Sequence, residues 1–223
     1  MSRIRKFYDL RFRRFASGTG VPERVGELFA EAVQLSQTQH LKPDMALGII
    51  HADLRRSVGE TNEFPQRFFC DVGLGGLARW LRGAGYESVW KPNLDDATVI
   101  RETQRLEATL ITTDSLMMER GVLRDGNVPW VWVPSSLTCE EQLIIVLREL
   151  ALPIREPRCM SCGGSLYQVD KEIVADRIPP RTALWLDEYF ECGECHQIFW
   201  RGTHWKRITE ELTRLRNVSL SLS

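Results

Sequence analysis

Two Cys-x-x-Cys pairs constrain this chain more than any other feature. Cys159-Met-Ser-Cys162 and Cys192-Gly-Glu-Cys195 are separated by 29 residues. Each such turn brings two sulfurs together with backbone amides aimed at them, which is half of a tetrahedral Zn2+ site. The spacer is longer than the usual 15–20 residues or so of paired knuckles, yet it has room for strands over 166–169, 172–175 and 189–191, with a further strand over 197–200. The expectation is a zinc ribbon holding one structural Zn2+ through Cys159, Cys162, Cys192 and Cys195, because a closed four-thiolate site leaves no position open for chemistry. Gly163 and Gly164 suit the turn after the first pair. Disulfides or a redox dithiol are the alternatives. The first suits an oxidising compartment, and the second needs a Cys-x-x-Cys opening a helix after a strand, which neither pair does. His196 and His204 lie close enough in sequence to replace a thiolate, but four cysteines already satisfy the ion. Cys70 and Cys139 stand alone and read as small buried hydrophobes.

The chain has 223 residues, 43% of them hydrophobic, with 29 basic against 30 acidic side chains. That composition excludes wholesale disorder and gives no bulk attraction to nucleic acid. No run approaches the roughly 18 apolar residues of a membrane helix, and no apolar stretch follows the basic N-terminus as a secretory signal requires. The expected setting is cytoplasmic, without a membrane. Charge is nevertheless uneven: residues 1–14 carry Arg3, Arg5, Lys6, Arg11, Arg13 and Arg14 against Asp9 alone. Such an arm reads as a phosphate-contacting segment, an organelle transit peptide or a solvated helix face, so import by this route stays open.

Pro22, after Gly20-Val21, opens an amphipathic helix that runs to about Gln39, with Glu23 and Glu27 where the helix dipole favours acids. A second helix spans 43–58 and ends at Gly59. The polar run ETNEFP then closes an N-terminal helical extension over residues 1–63. From residue 64 to 155 short apolar runs alternate with helical ones, the pattern of an α/β domain with a parallel sheet. Strands are expected over 67–71, 88–90, 109–113 and 129–133. Helices are expected over 74–84, 96–107, 115–120 and 138–150, the last with a Thr138/Glu141 capping box. Residues 156–223 hold the ribbon and a closing helix over 205–216, followed by a polar tail.

Within the α/β segment, Asp71 ends the first strand, Asp96 opens the second helix and Asp114 follows the third strand. Strand C-termini and the following helix N-termini share one edge of a parallel sheet, where ligands bind. Clustered carboxylates there repel one another unless a cation compensates them, and hard oxygen ligands suit Mg2+ or Mn2+. The chemistry this fits is metal-assisted phosphodiester hydrolysis. Singly, each acid has a plainer use: Asp95 as an N-cap, Asp96 in the dipole of its helix, Asp114 capping 115–120. Asp71 resists that account, since the flexible Val72-Gly73-Leu74-Gly75-Gly76 turn needs no carboxylate cap.

Residues 68–87 (FFCDVGLGGLARWLRGAGYE), then LDD before a helix, TLITTD, the two Cys-x-x-Cys pairs with EIVADRIPPR between them, and IFWRGTHW after them closely resemble the PIN-like ribonuclease family with a C-terminal zinc ribbon, the family of the mutator-seven exonuclease C-terminal domain. The likeness spans residues 68–207. It implies a PIN-like three-layer α/β/α domain, metal-binding catalytic carboxylates at Asp71, Asp96 and Asp114, and zinc thiolates at Cys159, Cys162, Cys192 and Cys195. Ser115 and Leu116 stand where such nucleases often supply a fourth acid, so Glu119, Asp125 or water would complete the site. His196 stands where a glycine is expected.

An RNA substrate needs cations near that edge and, if single-stranded, stacking surfaces. Arg79, Arg82 and Arg120, with Arg124, are placed to flank a scissile phosphate. The ribbon adds Arg201 together with Arg177, Arg181, Lys206 and Arg207, interleaved with Trp185, Tyr189, Trp200 and Trp205. The sequence thus reads as a metal-dependent ribonuclease. The alternative is an RNA- or ribosome-binding adaptor whose acidic edge is incomplete and whose ribbon does the recognition. A phospho-acceptor receiver domain would require a lysine after a later strand, and none lies between Asp114 and Leu150. The N-terminal extension is open to four roles: a dock for a protein partner, a surface for self-association, an inhibitor of the acidic site or an organelle address.

Overall fold

The structure is a computed structural model that describes residues 3–19 and 24–222. Residues 20–23, where the sequence starts its first helix at Pro22, lie outside the described residues, as do Met1, Ser2 and Ser223.

The N-terminal extension forms α1 (Arg3–Thr19), α2 (Arg24–Thr38) and α3 (Pro43–Ser57). α1 puts Arg3, Arg5, Lys6, Arg13 and Arg14 on an exposed helix face, one of the readings of the basic N-terminus, while its other face is packed inward and so is no loose arm. Phe7, Tyr8 and Phe12 are buried at helical spacing, and the Phe7 ring stacks on Trp132 with centroids 4.0 Å apart. Arg11 follows them inward at 9% exposure. α3 carries a second buried cation, Arg55, which ion-pairs with the wholly buried Glu149 and donates to the Trp130 carbonyl at 2.9 Å.

The chain then lays down β1 (Arg67–Cys70), α4 (Gly75–Gly83), β2 (Glu87–Trp90), α5 (Asp96–Arg105), β3 (Thr109–Thr112), α6 (Gly121–Arg124), β4 (Trp130–Trp132) and α7 (Cys139–Glu149). The strands form one parallel sheet in the order β2-β1-β3-β4. β3 and β4 are buried along their whole length, as parallel strands covered on both faces must be. Because β2 and β3 flank β1 on opposite sides, right-handed crossovers put α4 and α5 on opposite faces. Where a helix was expected over 115–120, a 3-10 turn spans Met117–Glu119 and α6 follows it. α7 begins on the expected capping box: the Thr138 hydroxyl accepts the Glu141 amide at 3.3 Å, and the Glu141 carboxylate accepts the Thr138 amide at 2.8 Å. α4 and α7 approach so closely that a Cβ on Gly76 would meet the Cys139 sulfur at 2.5 Å.

β5 (Leu166–Val169), β6 (Tyr189–Cys192) and β7 (Ile198–Trp200) form an antiparallel ribbon, with α8 (Pro180–Trp185) between the first two. The strand expected over 172–175 is a 3-10 segment, Lys171–Arg177. The reason is spacing. Val174 and Ile178 both turn inward onto Tyr189 to make the ribbon's own small core, while Asp176 between them stays exposed, so the side chains do not alternate as a strand's would.

α9 (Thr203–Ser221) runs past the helix expected over 205–216, through most of the supposed polar tail. Leu212, Leu215, Ser219 and Leu222 are all buried and keep helical spacing. Arg148 of α7 holds this helix and α3 together. It clasps the Asp53 carboxylate through Nε at 2.6 Å and Nη2 at 2.7 Å, and donates from Nη1 to the Ser219 carbonyl at 2.6 Å. The N-terminal helices, the sheet with its helices and α9 share one hydrophobic core. No helix among the described residues is long and apolar enough to cross a membrane.

Candidate functional site

The strand order reverses between β1 and β3, since the chain passes from β1 outward to β2 and returns to place β3 on the other flank. The crevice at the carboxyl ends of such strands is where open α/β sheets bind ligands, and Asp71 and Asp114 sit there. The Asp71 amide extends the ladder by donating to the Ile111 carbonyl at 2.9 Å. One carboxylate oxygen of Asp71 accepts the Val72 amide at 2.6 Å, and the other accepts the Thr112 hydroxyl at 2.7 Å. That hydroxyl in turn accepts the Asp114 amide at 3.0 Å. Asp114 caps the next turn through the Leu116 amide at 2.7 Å. Trp90 braces the loop, its indole N–H donating to the Val72 carbonyl at 2.9 Å.

Asp95 caps α5, accepting the Thr98 amide at 2.9 Å and the Thr98 hydroxyl at 3.0 Å, and these bonds hold its carboxyl below the usual range. Asp96, in the first turn, is paired with Arg120 at 3.0 Å, both side chains well exposed. Asp71, Asp96 and Asp114 are therefore not gathered into a metal-holding group. Among the described residues, the one set of three or more such side chains with ligand atoms within 4.8 Å of one another is the cysteine cluster. Of the acids considered as a fourth ligand, Asp125 pairs with Arg124 at 2.9 Å and Glu119 is exposed.

The four cysteines do converge. Cys159 and Cys195 sulfurs lie 3.6 Å apart, and Cys162 and Cys192 sulfurs 3.4 Å apart. Four thiolates at about 2.3 Å from one zinc would stand roughly 3.8 Å from each other, so the set can hold a metal ion such as zinc. The two knuckles match in detail: Gly163 donates to the Cys159 carbonyl at 2.8 Å and His196 to the Cys192 carbonyl at 3.0 Å. Both residues take positive φ, 91° and 59°, so the position expected to be glycine does ask for the left-handed region. Burial pushes the Cys162 thiol up to about 12, while Cys192 comes down to about 7, burial being outweighed there by the amides of Cys195 and Glu194. Cys70 is fully buried, and Cys139 is half-buried at the start of α7.

The arginines divide. Arg82 is turned inward at 6% exposure, donating from Nε to the Ser88 carbonyl at 2.8 Å and from Nη1 to the carbonyls of Met160 and Ser161 at 3.2 and 2.8 Å. It fastens α4 and β2 to the first knuckle, and its expected role as a phosphate contact is corrected accordingly. Arg79 and Arg201 line a cleft of about 560 Å3 between α4, the segment 154–161, β7 and α9. Arg155 and Arg158 line it too; the segment from Pro153 to Arg158 carries no motif that marks them in the sequence. Arg201 reaches Glu188 at 3.3 Å and lies 5.5 Å from the Phe190 ring, on which Trp205 stacks at 5.4 Å. Of the other ribbon aromatics, Tyr189 is core, whereas Trp185 stands 83% exposed.

A protein-family model described as the Mut7-C RNAse domain matches residues 66–212. No curated protein and no solved structure matches the chain significantly.

Proposed function

This chain belongs to the Mut7-C RNAse domain family, which gives it a ribonuclease-related role, and from that premise we propose that it is a PIN-like, metal-dependent hydrolase of RNA phosphodiester bonds. The observation that carries the reading is the Asp71–Thr112–Asp114 chain at the point where the strand order reverses. Hard carboxylate oxygens are the donors that Mg2+ and Mn2+ prefer. Asp71 and Asp114 would hold such an ion, with Asp96 joining them in exchange for Arg120. When bound, the ion lowers the pKa of an attacking water and neutralises the developing charge on the phosphate. Thr112 fixes the Asp71 carboxylate, and Trp90 keeps the following loop in place. Arg79 and Arg201 would carry RNA phosphates along the cleft beside the ribbon, with the Trp205–Phe190 pair and Trp185 as stacking surfaces. Zn2+ on the four cysteines would be structural. The domain boundaries proposed are residues 1–63, 64–155 and 156–223, with the working compartment the cytoplasm.

A second reading, an RNA- or ribosome-binding adaptor, is favoured by the separation of the three aspartates and the lack of a fourth acid beside Asp114. One experiment decides between them. The full chain and its Asp71→Asn and Asp114→Asn variants are incubated with labelled single-stranded and hairpin RNA in Mg2+, Mn2+ or EDTA. The hydrolase cleaves only with metal, leaves 5′-phosphate and 3′-hydroxyl ends, and loses activity in both variants. RNA retained but uncut under every condition establishes the adaptor, and 2′,3′-cyclic ends would rule out the metal mechanism.

A further inference from the structure

α1, α3 and β4 border an open cavity of about 230 Å3 whose lining includes Arg11, Arg14, His51, Arg55, Glu60 and Trp130. We propose that this cavity is a binding site for a small phosphate monoester or free phosphate.

Charge is the first argument. Arg11 and Arg55 line the cavity together with Arg14 at its rim; Glu60 is the one carboxylate in the lining, 2.9 Å from Arg55 Nη2, and Glu119 also acts on Arg11 from outside it. Arg55 also has Glu149 behind it, but burial raises that carboxyl to about 7, so it offsets only part of a charge. Arg11 and Arg55 approach the same indole, their guanidinium carbons 4.2 and 4.1 Å from the Trp130 ring centre. Holding two like charges together out of water is costly and calls for a compensating anion.

Unused donors are the second argument. Arg11 Nε, Arg55 Nε and His51 Nε2 are buried and have no hydrogen-bond partner, although Arg11 is 9% exposed and His51 and Arg55 only 1%. Arginine Nε always carries a hydrogen. Burial together with the charges of Arg55 and Arg11 keeps His51 neutral, so its ring still offers one N–H. A phosphate group accepts on every free oxygen, carries close to two negative charges at neutral pH and matches the guanidinium fork. Size is the third argument. The cavity falls below the roughly 300–1,000 Å3 of drug-sized sites, so it admits a phosphate with a few attached atoms and not a nucleic-acid strand. Arg14, at the exposed rim, completes the entrance. Arg11 and Arg14 thus give part of the basic N-terminus a use that RNA cleavage does not require of it.

The test is calorimetric titration of the zinc-loaded full chain with inorganic phosphate, glycerol phosphate, sulfate and acetate, beside NMR titration of the His51 imidazole. Saturable one-to-one binding of phosphate is expected, with sulfate competing and acetate at least tenfold weaker. Glycerol phosphate binding alongside it assigns a monoester, whereas phosphate alone assigns the free ion. The pKa of His51 is expected to rise on saturation. Arg11→Met and Arg14→Met should each weaken binding at least tenfold, while Arg105→Ala, on α5 and outside the cavity lining, leaves it unchanged. Should Arg11→Met fail to fold, the exposed Arg14 and the His51 signal still decide. No saturable binding, or binding untouched by Arg14→Met with no His51 response, overturns the proposal.

Discussion

The Thr112 hydroxyl holds the Asp71 carboxylate at 2.7 Å while accepting the Asp114 amide at 3.0 Å, so one small side chain sets the spacing of the two acids on adjacent strands. If those acids carry hydrolysis, Thr112 is a positioning residue. A hydrogen bond to a charged group is worth about 1.5–3 kcal/mol. Thr112→Val should therefore lower kcat for RNA cleavage about 10- to 100-fold with KM little changed, and Thr112→Ser should restore most of it. Steady-state kinetics at saturating Mn2+ check this. A Thr112→Ser variant as slow as Thr112→Val would show that packing, not the hydroxyl, matters.

Arg120 and Asp96 form an exposed pair at 3.0 Å, of a kind that rarely contributes more than about 1 kcal/mol. A bound cation can displace it cheaply. Arg120→Ala should lower the Mg2+ concentration needed for half-maximal rate several-fold and raise KM for RNA, with stability changed by no more than about 0.5 kcal/mol. Metal titrations of the cleavage rate read the first effect; an unchanged midpoint would place Asp96 outside the metal site.

Arg82 and Arg79 stand three residues apart on α4 and should behave oppositely. Arg82→Met leaves three carbonyls without their donor and should cost about 3 kcal/mol in denaturant unfolding, with faster release of zinc to a chromophoric chelator. Arg79→Ala, at an exposed position in the cleft, should leave unfolding unchanged and weaken RNA binding. Equal stability of the two variants would contradict the bracing role of Arg82.

Two buried groups pull the pH dependence of stability in opposite directions. Glu149 rises from 4.5 to about 7, chiefly through burial, so the folded chain binds more protons than the unfolded one and stability falls as pH climbs through that window. His51 drops well below 6.5, again through burial first and then Arg55 and Arg11, so stability is lost as pH falls below 6.5. Between these limits the slopes, each at most about 1.4 kcal/mol per pH unit, oppose one another. Glu149→Gln should unmask a stability that rises with pH up to 6.5, and His51→Phe one that falls from 4.5 towards 7. Urea unfolding across pH 4 to 8 distinguishes them, and identical profiles for both variants would refute this account.

Local chemistry made much of the fold and part of the candidate site readable. The Thr138/Glu141 box, the Asp95 cap and the strand-end positions of Asp71 and Asp114 depend on residues within a few places along the chain. The paired cysteines depend on turn geometry that repeats at Cys159 and Cys192. The glycine expected at position 196 was a correct reading of the backbone, since His196 takes a φ of 59° there. What escaped was set by distant neighbours. Nothing near Arg82 announces that the Met160 and Ser161 carbonyls will claim it, and nothing in residues 1–14 shows Phe7 meeting Trp132. The 3-10 segment at Lys171–Arg177 was hidden because Val174 within it and Ile178 just after it gain meaning only once Tyr189 is in place.

The clasp of Arg148 on Asp53 and on the Ser219 carbonyl also bears on timing. It ties three points separated by most of the chain, and contacts of such long sequence range are reached late, after the loop entropy between them has been lost. On a ribosome, the sheet and its acidic edge emerge well before α9 does. Until α9 docks, Arg148 lacks its carbonyl, and Leu212 and Leu215 have not joined the main core. A nascent chain thus passes through this stretch of translation, amid abundant RNA, with its interior unsealed until α9 has been made.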